Sequence, residues 1–374
     1  MVILKKISSI ELSLILTSLI FSISVENGTL RIIFSAINLV LSMYLFVQCK
    51  FKFNKRVIPT LIILITIALY YISEKGFRGY SYSFHFYISI LSLLSAIFYI
   101  NYIYIFDKYK QISVIFNKIL YAHIMLFMIQ FFLWYLFKFD LDYLYDLGLE
   151  NNPHRSNFYG LYRATGLFSE PSIYSTYILA IVTIKYWLDD KINNVMWIGL
   201  LSMLLSFSTM ALFQVASFLF FVYARINLRS IITLVLSILV LVSLFMDTVI
   251  SRLNLFISGD DSSNSAKTYI FEHWISNENL FHYGYSYIDK FKAGKEFIAL
   301  GDLTFWLNNF MFFGLYMGFF LLFIYLFRFF KGNEFRCKIL ISIVLFKLST
   351  FTFPLTALLV AIYFSLGNKQ HRGL

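Results

Sequence analysis

The stretch VMWIGLLSMLLSFSTMALFQVASFLFFVYA, residues 195–224, carries no charged side chain, and its reading decides how the rest of the chain is threaded. Taken as one helix it makes a single crossing, so that Arg225 and Arg229 emerge opposite Lys191. Every later segment is then inverted. Taken as two helices meeting near SFSTM (Ser206 to Met210), it returns to its starting side and keeps both arginines with Lys191. Basic residues collect on the cytoplasmic side of membrane proteins, so the pair is the expected form.

That argument needs a membrane, and the composition supplies one. Soluble domains carry roughly 25% charged residues. This 374-residue chain has 14%, with 59% hydrophobic and 20% aromatic residues and a mean hydropathy of +0.74. Too few polar residues are present to cover a water-facing surface. In hydrocarbon the backbone must satisfy itself, which leaves helices or a closed barrel. Barrel strands alternate over about ten residues, whereas the apolar runs here are continuous and about 17–25 residues long, as helices require. The fold class is therefore all-α: a polytopic integral membrane protein forming one domain over residues 1–374.

Apolar runs set against basic clusters give about twelve spans. The first, 7–25, follows Lys5 and Lys6, lacks a small-x-small cleavage site and reads as an uncleaved span. Next come 30–48, 57–73, 83–105, 119–138 and 171–188, then the pair in 195–224. The spans 230–248 and 304–327 and a last short pair broken at Pro354 complete the set. This threading puts both termini and most lysines and arginines inside. Two large loops, 139–170 and 249–303, lie outside. The net charge of +11 is thus topological and excludes a nucleic-acid partner. Cys49 and Cys337 both fall at the inner boundary, so no disulfide staples an external domain. No internal repeat is present.

The first outer loop ends in RATGLFSEPSIYSTYILA, residues 163–180. Ser169 or Glu170 can cap a helix whose first turn holds Pro171. A helix N-terminus favours an anion, and Arg163 adds a guanidinium able to fork onto phosphate or carboxylate. The plainer reading pairs Arg163 with Glu170 as a staple between loop and helix. The second outer loop carries Arg252, Lys267, His273 and His282 among Asp260, Asp261, Glu272 and Asp302. Cations on two loops can clamp one diphosphate, and either histidine can act as a general base. The nine-residue spacing of His273 and His282 fits no standard zinc pattern, so no metal is expected. Lys290, Lys292 and Lys295 form a solvated or headgroup-facing patch. Outer tyrosines (Tyr143, Tyr145, Tyr159, Tyr162, Tyr283, Tyr285 and Tyr287) have the flat apolar face that stacks on sugars, although most aromatics here serve lipid contact and interface belts. Lys347, near the outer end of its span, either snorkels or lines the same cavity.

With these residues in view the chain resembles the Wzy-type O-antigen polymerases and their ligase relatives. The resemblance rests on R-x-x-G-L-F-x-E-P-S (here Arg163, Gly166, Leu167, Phe168, Glu170, Pro171, Ser172) leading into a span, and on the layout of about a dozen spans. The Ser/Thr-rich hairpin and the glycine-containing NLFHYGYS of the second loop add to it. Lys267 stands where relatives often have a second arginine, and His282 and Gly284 where many have glycine-x-glycine. The resemblance implies a GT-C-like helical glycosyltransferase in the bacterial inner membrane, with its active site facing the periplasm. Its substrate would be an undecaprenyl-diphosphate-linked oligosaccharide, handled without nucleotide, metal or other cofactor and in concert with a chain-length regulator. The growing glycan would pass to a hydroxyl of the next lipid-linked unit. Arg163, Arg252, Lys267 and Ser172 would then hold the diphosphate and glycan, and Glu170, His273 or His282 would take the hydroxyl proton. An O-antigen ligase, delivering the same glycan to the lipopolysaccharide core, is the nearest alternative. A lipid-linked oligosaccharide flippase is the next, but its spans should carry buried charges and its loops should be short.

Overall fold

A computed structural model describes residues 8–24, 27–73, 80–146, 162–223, 262–285, 300–301, 303–331 and 334–366, with isolated residues at 232, 250 and 254. Their regular elements are all helices, with no strand among the described residues. The helices are α1 (Ser9–Phe21), α2 (Gly28–Gln48), α3 (Ile58–Ser73), α4 (Tyr80–Phe106) and α5 (Tyr109–Phe137). After the short α6 (Tyr143–Asp146) come α7 (Pro171–Asp189), α8 (Asn194–Leu205) and α9 (Thr209–Tyr223). The rest are α10 (Ser262–Ser276), α11 (Glu278–Tyr283), α12 (Phe305–Phe330), α13 (Phe335–Leu345) and α14 (Pro354–Ser365).

Local chemistry sets several of the starts. Ser8 and Glu11 close a reciprocal capping box on α1 at 3.2 Å in each direction, an arrangement worth about 1 kcal/mol. Asn27, Asn193 and Thr304 cap α2, α8 and α12 through side-chain oxygens. Pro171 and Pro354 open α7 and α14, where a missing N–H costs nothing. One sequence expectation shifts here. The span predicted at 119–138 belongs to a helix that begins at Tyr109. Lys110, Gln111, Asn117 and Lys118 are polar but helix-compatible, so the helix outruns its apolar stretch. Asn117 then meets the cap residue Asn193 at 3.1 Å.

Two helices form the centre. From Tyr174 to Leu188 every side chain of α7 is buried, and so is every side chain of α14. The other helices pack around them, α5, α8, α9 and α13 against α7, and α3 and α4 against α14. Their outward faces expose large apolar residues such as Val40, Leu136 and Phe323. In water that is an aggregating surface; against lipid it is the expected one. Among the described residues, four helices are long and apolar enough to cross a bilayer: Gly28–Gln48, His85–Phe106, Tyr109–Phe137 and Phe305–Phe330. The shorter apolar helices include α1, α8, α9 and α14. The predicted span 230–248, Arg252 and the patch at Lys290, Lys292 and Lys295 lie outside the described residues. Part of the predicted second loop is itself helical, as α10 and α11.

The 195–224 stretch folds as two helices. α8 ends at Ser206, Phe207 takes a left-handed turn (φ 51°), and α9 doubles back. Trp197, early in α8, stacks on Tyr223, the last residue of α9, at 6.0 Å. Along α7, Gln214 reaches Thr176 and Phe218 reaches Tyr186, so α9 runs parallel to α7 and opposite to α8. Arg225 and Arg229 therefore follow a helix that ends level with the start of α8. A reporter fused after Arg229 is expected to give a cytoplasmic signal in whole cells; a periplasmic one would reverse the second half of the threading.

The longest apolar helix near the C-terminal half, α12, breaks at Gly314 (φ 78°, ψ 176°), a conformation essentially restricted to glycine. Gly284, just after α11, takes the same shape (φ 76°, ψ 176°). The two backbones lie against each other. A Cβ on Gly284 would fall within 2.7 Å of the Phe312 carbonyl carbon, and one on Gly314 within 2.7 Å of the Tyr283 carbonyl carbon. The Tyr70 hydroxyl on α3 spans the junction, donating to Phe313 O at 2.7 Å and Tyr283 O at 3.2 Å.

Candidate active site

The segment 162–170 is held by buried partners before it reaches α7. Gln130 of α5 accepts the backbone N–H groups of Thr165 and Gly166 at 2.6 and 2.8 Å, and donates to Leu141 O at 2.7 Å. Gly166 supplies the left-handed turn (φ 59°) that this double bond needs. Tyr162 stacks on Trp134 at 4.4 Å and donates to Asp140 at 2.8 Å. Phe168 lies between His123 and Tyr177. Gln130 carried no signal in the sequence, being one amide in an apolar helix, yet it fixes the path of the whole element.

That path ends at Glu170, which occupies the N-cap position of α7 with extended backbone. Its carboxylate does not cap the helix. It accepts the Ser172 hydroxyl at 3.0 Å and is otherwise exposed, facing an open cavity of about 590 Å³. The cavity lies where one end of the bundle gathers the starts of α2, α4, α7 and α12 and the α13–α14 connection. Two cations share it with Glu170: Arg31, from the first turn of α2, and Lys347. The Arg31 guanidinium lies 5.0 Å from the centre of the Phe353 ring, a contact that holds it in place while leaving its charge intact. His85 and Ser89 of α4 and Asn308 and Asn309 of α12 add polar groups to the wall. Phe312, Phe313 and Phe351 supply apolar ones. Fixed charges in a cleft with apolar walls act more strongly than in water, so this arrangement suits a polyanion next to a proton acceptor.

The sequence candidates are distributed as follows. Glu170 lines the cavity, Ser172 is the second residue of α7 and donates its hydroxyl to Glu170, and Lys347 lines the cavity as one of its two readings anticipated. Arg163 is half-buried upstream of α7 and is not among the cavity's lining residues. No ion pair joins it to Glu170 among the described residues. Lys267 and His273 lie on α10, where His273 stacks on Tyr269. His282 lies on α11, stacked on Tyr316 at 5.4 Å with Nδ1 buried. Neither histidine lines the cavity. Arg252 is outside the described residues.

The tyrosines divide similarly. Tyr143 donates to Leu126 O, burial raises its phenol above the ordinary value, and Tyr285 is fully buried with its hydroxyl on Ile270 O. Tyr162, like Tyr285, is buried, while Tyr143 is partly exposed. Tyr145 and Tyr283 are exposed, while Tyr159 and Tyr287 are outside the described residues. Among the described residues no three His, Cys, Asp or Glu side chains gather as metal ligands would.

Arg31 was missed from sequence. Its signal was available: a lone arginine one turn inside the outer end of a span runs against the cytoplasmic bias of basic residues. No family model, no curated protein and no solved structure matches the chain.

Proposed function

We propose that the chain is a lipid-diphosphate-dependent polysaccharide polymerase of the inner membrane with its cavity facing the periplasm. It would join lipid-linked oligosaccharide units by moving the growing glycan from undecaprenyl diphosphate to a hydroxyl of the next unit. One observation carries this reading. Glu170, in the element that resembles the O-antigen polymerases, opens into a cavity that it shares with Arg31 and Lys347.

In this reading the acceptor hydroxyl gives its proton to Glu170 as its oxygen bonds the anomeric carbon of the donor. The bond from that carbon to the diphosphate oxygen breaks, and the electron pair leaves on the diphosphate. Arg31 and Lys347 neutralise the developing charge. A carboxylate beside a diphosphate is repelled by it, which favours proton uptake. In this reading Arg31 and Lys347 supply cations beside the carboxylate, while Arg163 and Lys267 are not among the cavity's lining residues and Arg252 is outside the described residues.

Deleting the gene is expected to leave surface polysaccharide with a single repeat unit instead of a ladder of lengths, read on a gel of the extracted glycan. Units trapped on the inner leaflet would support a flippase instead. Full-length polymer left on the lipid carrier would support a ligase.

A further inference from the structure

Rings that a straight helix would keep far apart meet along α12. Trp306 and Tyr325 would lie about 28 Å apart at 1.5 Å per residue. Their rings are 5.5 Å apart, and Phe310 meets Phe319 at 4.9 Å. A Cβ on Gly318 would fall 2.7 Å from the Phe310 Cα. The residues before Gly314 therefore double back along those after it, as a limb, 305–313, about 14 Å long. The start of this limb lies deep. Phe305 packs on Phe351 at 5.2 Å, Trp306 packs on Phe346 at 5.3 Å, and Ser349 Oγ donates to Gly301 O at 2.7 Å. The span expected at 304–327 thus begins inside the bundle.

What the limb meets there also stops short. α13 and α14 have 11 and 12 residues, about 16 and 18 Å, against about 30 Å for a hydrocarbon core. Both are tied to the end of the bundle that carries the basic clusters. Lys338 of α13 donates to the carbonyls of Arg328 and Phe329, and Tyr104, beside Arg56, donates to Ser365 O of α14. Their connection, 346–353, therefore turns about half-way along the bundle. Lys347, expected near the outer end of a span, sits in that turn. Glu170 caps a helix of 19 residues, which places it about 10 Å further out. Non-helical backbone persists at such depth only when buried in protein or set against a water-filled cavity, and Lys347, Thr350 and Thr352 line the cavity. The Arg31 guanidinium reaches down to Phe353, the last residue of the connection.

We infer that the cavity is an aqueous shaft whose floor lies near the middle of the bilayer, and that Lys347 holds a phosphate group of the substrate there, below headgroup level. The depth follows from the helix lengths and contacts; the identity of the anion, a lipid diphosphate, rests on the function proposed above. A charge inside a membrane protein is retained where it faces such a cavity.

Two labels test the floor. Phe346 is 44% exposed and is not a lining residue, whereas Thr350 lines the cavity. In spheroplasts, Thr350→Cys is expected to react with a membrane-impermeant thiol reagent added outside. The parent chain, whose Cys49 and Cys337 are buried, is the blank. A spin label on Phe346→Cys in the reconstituted protein should collide with oxygen far more than with a water-soluble nickel complex, as at the bilayer centre. Water exposure at both positions would put the connection at the outer face and overturn the inference. Reaction of Thr350→Cys only in inverted vesicles would overturn it too. Inorganic pyrophosphate added outside should protect Thr350→Cys. At the concentration giving about tenfold protection, adding Lys347→Met should leave about twofold or less, because losing a charged hydrogen bond weakens binding roughly tenfold or more. Lys347→Arg should keep most of the protection. Full protection in Lys347→Met, or none in the unaltered background, would remove Lys347 as the anion site. Neither measurement reads polymer, so a ladder that survives gene deletion defeats the parent reading and leaves the depth and the anion site standing.

Discussion

Arg31→Ala is expected to empty the polysaccharide ladder at normal protein abundance. Removing one preorganised charge from a site where an anion develops costs about 10²–10³ in rate, and Arg31 shares its cavity with Glu170. Arg31→Lys keeps the charge without the planar fork and should retain a little extension. Glu170→Gln should fall as far, since an amide cannot take the proton. Arg163→Ala is the informative contrast, because Arg163 does not line the cavity. Its loss should lower protein abundance and ladder together. A full ladder in Arg31→Ala, or an empty one in Arg163→Ala at normal abundance, would move the diphosphate back to the loop.

The second large effect lies far from any charge. Gly314→Ala and Gly284→Ala should each prevent accumulation of folded protein. Positive φ at a residue with a side chain costs about 1–3 kcal/mol. Here the new methyl also meets backbone, at Tyr283 for Gly314 and at Phe312 for Gly284, and backbone cannot rotate away. The sum should exceed about 4 kcal/mol, the upper tail for single substitutions. Gly199→Ala is the control: its added methyl would touch Ile178 and Leu120 at an ordinary 3.4 Å. Size-exclusion profiles and melting temperatures of the three purified proteins decide the matter. Wild-type behaviour of Gly314→Ala would mean that the junction yields.

Charge and hydropathy made much of this architecture legible because they report on solvent. The α8–α9 turn followed from where Arg225 and Arg229 had to be, and the start of α7 from Pro171 after a polar pair. Helix length was less legible: hydropathy marks the apolar part of α5, while its first ten residues are helical although Lys110, Gln111, Asn117 and Lys118 interrupt the apolar run. In the site, the glutamate and Lys347 could be found because each is a charge in an apolar neighbourhood. Arg31 went unnoticed at the outer end of the second span. Gly284 was marked only by its place in the NLFHYGYS segment, and Gly314 gave no signal. The meaning of the two glycines comes from each other, thirty residues apart along the chain and packed backbone to backbone.

The antiparallel course of α8 and α9 has a consequence for how such a chain can change. An excursion that comes back to its own starting level adds an even count of traverses, so its presence is invisible to the orientation of everything downstream. A variant lacking residues 194–223 would lose the packing that α8 and α9 give to α7 and α13, and its stability would suffer. Its sidedness would not, because the chain after Tyr223 would still start from the level at which α8 begins. The hairpin is a parity-neutral cassette, and chains with and without it can present the same cavity to the same compartment.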